Sequence, residues 1–152
     1  MTITSKADIE VLVRIAANGA AEKKAMDVIA MYVAETLVVT DYFLIATGSN
    51  DRQVHAIADS IEDALREAGV KPRGREGERE MKWILLDYGD FVVHVFQPDE
   101  RGFYSLEKLW SDAPVLNLPA EVANVTAPAT ETDTEETSRD QQALATPLAV
   151  GP

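Results

Sequence analysis

Trp83 to Phe96 reads W-I-L-L-D-Y-G-D-F-V-V-H-V-F. Two apolar runs rich in bulky and β-branched residues flank Gly89-Asp90, the pattern of a strand, a tight turn and a second strand. With Gly89 and Asp90 as the two central turn residues, Gly89 supplies the positive φ that a II′ turn needs at its first position. Side-chain alternation then sets the pairs. Tyr88 faces Phe91, Leu86 faces Val93 and Ile84 faces Val95 on one side. Asp87 with Val92, Leu85 with His94 and Trp83 with Phe96 take the other. Both sides are mostly apolar, so the hairpin is expected to be covered on both faces, as in an α/β domain.

Upstream, Gly48-Ser49-Asn50 separates a strand from a strong helix. Asn50 caps the helix with Gln53 at the capping-box position. Val54, Ile57, Ala58, Ile61, Leu65 and Ala68 line one face, Asp59, Glu62, Asp63, Arg66 and Glu67 lie largely away from it, and Gly69 ends it. Tyr42 to Thr47 is the preceding strand. Met26 to Val33 reads as another strand, with a helix running on from Ala20 as the rival reading. Glu35 to Asp41 between them is a connection or an extended edge. The first element is an amphipathic helix from Ser5 to Asn18, with Ser5 and Asp8 at capping-box spacing. Ile9, Leu12, Val13 and Ala16 form its apolar stripe, Asn18-Gly19 is its stop, and Ala20 to Lys24 connects it onward. Strand, helix and next strand make a candidate right-handed crossover, and the polar run Lys71 to Lys82 leads into the hairpin. The expected class is α/β, an α+β mixed sheet with flanking helices.

Downstream of the hairpin, Gln97 to Gly102 turns and Phe103 to Trp110 reads as a short helix. Phe103, Leu106, Leu109 and Trp110 share its apolar stripe. Beyond it Pro114, Pro119, Pro128, Pro147 and Pro152, with many Thr, Ala and Glu, mark a disordered region. Val115 to Leu118 is a segment that can dock on the body. The expected division is a working domain over 1–118 and an acidic Pro/Thr/Ala-rich tail over 119–152.

The 152 residues suffice for one domain with a real core. The absence of cysteine excludes disulfides, a thiol nucleophile and sulfur-ligated zinc, and two histidines leave little for a metal site. No window is apolar enough to span a bilayer and no signal-peptide pattern opens the chain, so a soluble, cytoplasmic protein is expected. The formal net charge is -12, half of it from Ser111 onward. General affinity for nucleic acid is not expected, because it depends on Lys and Arg neutralising phosphates. A basic protein partner suits this charge, and so does solubility alone.

Ala46 to Asn50 (A-T-G-S-N) stands at a strand-to-helix junction where amides could hold an anion. It lacks both the dinucleotide glycine pattern and the Gly-Lys-Ser/Thr of a P-loop, and the residues favour a structural turn and cap. A strand, Gly-Ser and a helix are also similar to nucleotidyltransferases, which need closely placed acids on a following strand to hold divalent metal. Asp87 and Asp90 instead straddle the turn with different side-chain directions. They suit turn stabilisers, or acceptors for a partner's Lys or Arg. His94, amid valines, reads as a hydrogen-bonded structural residue, and His55 has no evident acid-base partner. Trp83, Tyr88, Tyr104 and Trp110 read as core, with any exposed one an interface anchor.

Four blocks then act together. Asp41-Tyr42-Phe43, the A-T-G-S-N-D-R-Q of Ala46 to Gln53, the hairpin of Trp83 to Phe96 and the F-Y-S-L-E-K-L-W of Phe103 to Trp110 resemble the ribosomal silencing factor family, RsfS, also called Iojap. The resemblance covers Ile9 to Trp110, and Glu76-Gly77 falls where the family carries a Glu-Gly pair. The long tail departs from shorter members. The resemblance implies a nucleotidyltransferase-like core without catalytic acids, no enzymatic activity and no cofactor or metal. It implies binding to the large ribosomal subunit through ribosomal protein fourteen, steric blocking of subunit joining, and repressed translation under nutrient limitation. It also implies a homodimer. By motif match the partner-binding residues are Trp83, Asp87, Tyr88, Asp90, Tyr104, Glu107 and Trp110, the aromatics anchoring and the acids accepting from Lys or Arg. Two alternatives stand beside it: a nucleotide-dependent transferase using the Gly48-Ser49 junction, and a self-associating module using the same aromatics.

Overall fold

A computed structural model describes residues 6–119 and 122. The elements are α1 (Lys6–Glu22), β1 (Met26–Tyr32), β2 (Tyr42–Thr47), α2 (Asp51–Glu67), β3 (Gly74–Glu76), β4 (Trp83–Asp87), β5 (Phe91–Phe96), α3 (Pro98–Tyr104) and α4 (Leu106–Leu109). The strands form one mixed sheet in the order β1-β2-β5-β4-β3, in which β2 and β5 are parallel and the other neighbours antiparallel. The fold is therefore a mixed α/β arrangement with flanking helices. No helix among the described residues is long and apolar enough to cross a membrane.

The hairpin has the register that alternation predicts, from Trp83 opposite Phe96 to Asp87 opposite Val92. Gly89 takes φ +82°, and the Tyr88 amide donates to the Phe91 carbonyl at 2.9 Å. The crossover is different from expectation. The strand parallel to β2 is β5, and β4 lies beyond it, because the hairpin inserts its second strand next to β2. A further strand, β3, stands within the polar run Lys71 to Lys82. Gly74-Arg75-Glu76 has no apolar alternation to announce it. It forms because the outer edge of β4 has backbone groups to satisfy, and Arg75 ties it to α2 through Glu62 at 2.5 Å and Asp59 at 3.0 Å.

The two long helices cover one face. From α2, Val54, Ile57, Ile61 and Leu65 are fully buried, each contributing about 1.5–3 kcal/mol by leaving water. Asn50 Oδ1 accepts from the Gln53 amide at 2.9 Å at its start. At its end Gly69 has φ +91°, with its amide on Arg66 and the Val70 amide on Leu65, a Schellman closure. The expected stop of α1 at Asn18-Gly19 does not occur, and the helix continues to Glu22. Gly19 is needed for packing. A Cβ there would lie 3.1 Å from the Ser60 carbonyl oxygen and 3.2 Å from the Ile61 Cα, and Ser60 Oγ donates to the Gly19 carbonyl at 2.7 Å. The proposed Ser5 cap lies outside the described residues.

The opposite face is less well covered. Met31, Val33, Phe43, Ile45 and Phe96 form a second apolar cluster there, with Trp83, Leu106 and Trp110 packed on its margin. In place of one helix over Phe103 to Trp110 there are two short ones, and Pro98 at the first turn makes a helix of the expected turn at Gln97 to Gly102. Ser105, at φ +47°, breaks them apart. The predicted stripe is consequently split: Leu106 and Trp110 pack inward, whereas Phe103 is 81% and Leu109 69% exposed. Beyond α4 the chain runs along the free edge of β1. Tyr32 N donates to the Pro114 carbonyl and Leu116 N to the Ala30 carbonyl, both at 2.8 Å, while Leu116 and Leu118 pack on the main core. Val122 is buried in that core. The remainder of the expected disordered tail lies outside the described residues.

Candidate functional site

The helix-poor face is built by the residues of alternate parity on three central strands. β2 contributes Phe43 and Ile45, β5 contributes Val92, His94 and Phe96, and β4 contributes Trp83, Leu85 and Asp87. The aromatic rings are joined in one array. Phe43 meets His94 at 4.8 Å and Trp110 at 5.0 Å, both edge to face, while Trp83 lies 4.9 Å from Phe96 and 4.6 Å from Tyr104. Such pairs restrict one another's rotamers, so the floor of this face is set before anything binds to it.

His94 is part of that floor. Its Nδ1 accepts from Trp83 Nε1 at 3.1 Å, which leaves the proton of the neutral ring on Nε2. Burial pushes the pKa down to about 4, because the charged imidazolium would lose its hydration. The hydrogen-bonded structural reading of His94 fits this geometry.

Of the seven residues marked from sequence, four gather here: Trp83, Tyr104, Glu107 and Trp110. Tyr104 is exposed and the other three are partly buried. Asp87 and Asp90 lie at the hairpin tip. Asp87 Oδ1 accepts from the Gly89 amide at 2.8 Å, and the Asp90 carbonyl accepts from the Asp41 amide at 2.9 Å. Tyr88 is separated from the rest. It faces the helices, is 5% exposed and stacks on Phe91 at 4.8 Å, so its ring belongs to the core.

The structure adds residues that the sequence reading did not mark as contacts. Phe103 and Leu109 project from the α3–α4 elbow, and Val38 (98% exposed) and Val39 project from the β1–β2 connection, whose Leu37 packs on the same cluster as Trp110. Exposed apolar residues around an aromatic floor suit a protein partner. The signal in the sequence was the apolar run Leu37-Val38-Val39 between the polar pairs Glu35-Thr36 and Thr40-Asp41.

Elsewhere, the Gly48–Asn50 junction is satisfied by its own side chains. Gln53 Oε1 accepts from the Ser49 amide at 2.7 Å and from Ser49 Oγ at 2.8 Å, while its Nε2 donates to the carbonyls of Lys23 and Lys24. Gln53 thus acts one residue earlier than a capping box would place it. His55 lies within 3.4 Å of Asp59, one helical turn on and legible from its i,i+4 spacing, and 3.3 Å of Glu78, a tertiary partner that the spacing does not show. Gly77, at φ +88°, admits no side chain, since a Cβ there would run into the Trp83 carbonyl. Among the described residues no group of three or more His, Asp or Glu is placed to hold a metal ion.

Residues 6–145 match the family model described as ribosomal silencing factor during starvation. The chain belongs to the RsfS family. It is 47% identical over 107 residues to the ribosomal silencing factor RsfS of Bacillus subtilis, covering 70% of this chain and 91% of that one. It is also similar, at 29% identity over 132 residues, to the mouse protein named mitochondrial assembly of ribosomal large subunit protein 1, covering 83% of this chain and 55% of that one. A crystal structure of a protein from Chromobacterium violaceum superposes with a TM-score of 0.66 at 36% identity, covering 68% of this chain and 86% of that one. The RsfS blocks quoted from the sequence fall on β2 and its junction, on the β4–β5 hairpin and on the α3–α4 elbow. The hairpin and the elbow build the aromatic face, and β2 supplies its Phe43.

Proposed function

We propose that this RsfS-family chain is a non-enzymatic factor that docks on the large ribosomal subunit through ribosomal protein fourteen and blocks subunit joining by its bulk. Translation is thereby repressed when nutrients are short. The observation that carries the reading is the apolar ridge of Phe103, Tyr104 and Leu109 beside a preset aromatic floor, on the face left uncovered by the long helices. Tyr104, Phe103 and Leu109 are the anchors, with Asp87 and Asp90 at the rim to accept from Lys or Arg. The name of the mouse relative, which refers to the large ribosomal subunit, supports the choice of subunit. An acidic chain seeking a basic ribosomal protein does not compete for RNA phosphates. The core is read as a nucleotidyltransferase-like scaffold that has lost its paired acids. A transferase at Gly48-Ser49 is disfavoured because Gln53 already occupies the Ser49 amide that a phosphate would need. The same ridge is a surface on which two copies can pair in the cytoplasm, and such a homodimer would open to dock.

Sedimentation of purified ribosomal subunits in magnesium, with and without the protein, tests the reading. The expected result is co-migration with the large subunit and less of the joined particle. Normal joining, with the protein left at the top of the gradient, overturns it.

A further inference from the structure

The elbow that carries the ridge has little reason to hold its shape unaided. α3 has seven residues and α4 four, neither contains a buried residue, and helices of this length have no stability of their own. The link between them is a non-glycine residue in the left-handed region, Ser105, whose Oγ donates to the Gly102 carbonyl. Packing of Leu106 is non-directional, and the ring pairs of Tyr104 with Trp83 and of Trp110 with Phe43 hold each short helix to the floor separately without joining α3 to α4.

Arg101 supplies the direction. Its side chain is 13% exposed, its Nε donates to Glu107 Oε2 across the elbow at 2.9 Å, and its Nη1 donates to Thr47 Oγ1 at 2.8 Å. Thr47 is the last residue of β2 and is buried. One guanidinium therefore joins α3, α4 and the rigid end of a central strand, using a planar fork whose donors fix angles as well as distances. Glu107 Oε1 is buried and Oε2 takes the Arg101 bond, so although the side chain is 33% exposed its carboxylate is already engaged within the elbow.

We infer that Arg101 and Glu107 form a positioning clamp that presets the docking ridge, and that Glu107 acts through Arg101 instead of receiving a cation from the partner. The inference deepens the proposed docking function and rests on it for its binding readout. With the clamp closed, Tyr104 lies against Trp83 and Phe103 points to solvent. With it open, the elbow samples other orientations, and binding must first reorder it.

The test uses the full chain and four variants: Arg101→Glu, Glu107→Arg, the double exchange of both, and Arg101→Lys. Both tryptophans of the chain, Trp83 and Trp110, belong to this face, so their emission reports the elbow directly. Each single reversal is expected to shift that emission and to weaken binding to purified large ribosomal subunits by about tenfold or more. The double exchange restores the pair, and Glu at 101 can still accept from Thr47, so emission and binding should both recover. Arg101→Lys keeps the charge without the fork, folds under any reading, and should give a smaller change in both. Recovery of emission without recovery of binding in the double exchange would make Glu107 a direct contact and overturn the inference. Unchanged emission in Arg101→Lys and in both single variants would also overturn it. Should the unmodified chain not bind large subunits, the docking reading fails, while the emission pattern still decides whether the clamp exists.

Discussion

The two faces of one sheet are finished in different ways. On one, α1 and α2, each of 17 residues, close over Leu44, Ile84, Leu86, Val93 and Val95 until none is exposed. On the other, helices of seven and four residues cover part of an aromatic cluster and leave Phe103 and Leu109 in solvent. The same strands supply both faces, so strand propensity does not account for the difference. It comes from the covering element on each side: a helix long enough to bury a full stripe, or an elbow held by a few directional bonds. The covered face should therefore govern stability and the open one recognition, and substitutions can separate the two.

The largest effect on stability belongs to the covered face. Ile61→Ala removes a fully buried side chain where α2 crosses Gly19, and should cost about 2–5 kcal/mol. Urea titration measures this, and the variant should bind as the unmodified chain does wherever it is folded. A loss of binding in the folded variant would show that the faces are coupled.

The floor of the open face should have a pH signature. Unfolded, His94 takes a proton below about pH 6.5. Folded, burial holds it neutral down to about 4. Between these values the unfolded chain binds the extra proton, so His94 contributes its full stabilisation above about pH 6.5 and loses it as pH falls toward 4. The whole effect is about 3 kcal/mol. His94→Gln keeps an acceptor for Trp83 and does not titrate, so the difference between the two pH profiles isolates the histidine. Parallel profiles would show that another group dominates.

The hairpin was legible because everything it needs is local: two apolar runs of bulky and β-branched residues, a glycine where φ must be positive, and alternation that fixes each pair. Asn50 and Gly69 were legible for the same reason, since caps act on neighbouring amides. Gly19 was misread because its role is tertiary, a close approach to Ser60 and Ile61 that looks like a helix stop in one dimension. β3 was invisible because three polar residues pair for the sake of another strand's edge. The elbow was half legible. Pro98 with Asp99 and Glu100 behind it is a helix start that was there to read. Nothing around Ser105 announces a left-handed residue, and without that break Phe103 falls on the buried stripe. At the site, the motif marked residues of the hairpin and the elbow, but whether a side chain faces in or out depends on contacts such as Arg101 with Thr47, 54 residues apart.

A smaller stability effect belongs to the hairpin tip. Asp87→Lys with Asp90→Lys removes the bond from Asp87 to the Gly89 amide, a loss of about 1 kcal/mol. The turn should survive, since Gly89 and the Tyr88–Phe91 bond remain. Binding to the large subunit should weaken about tenfold as two rim acceptors become donors. A well-folded double variant with unchanged affinity would remove these acids from the interface.

The smallest effect on stability should accompany the largest on binding. Phe103 and Leu109 contact water in the free protein, so Phe103→Ser with Leu109→Ser should shift the unfolding midpoint by no more than about 0.5 kcal/mol in free energy. If the ridge docks, each side chain leaves water only in the complex, where burial is worth about 1.5–3 kcal/mol apiece. Losing both should weaken large-subunit binding about a hundredfold or more. Leu106→Ser is the matched control. It lies on the same elbow but packs inward, and should lower stability. If the exposed pair instead destabilises the fold as much as Leu106→Ser does, the ridge is packed in the free protein, and the division between a stabilising face and a recognising face does not hold. If neither stability nor binding moves, docking uses another surface and the exposure of the ridge needs a different cause, for which light scattering of the same variant would report whether self-association was lost.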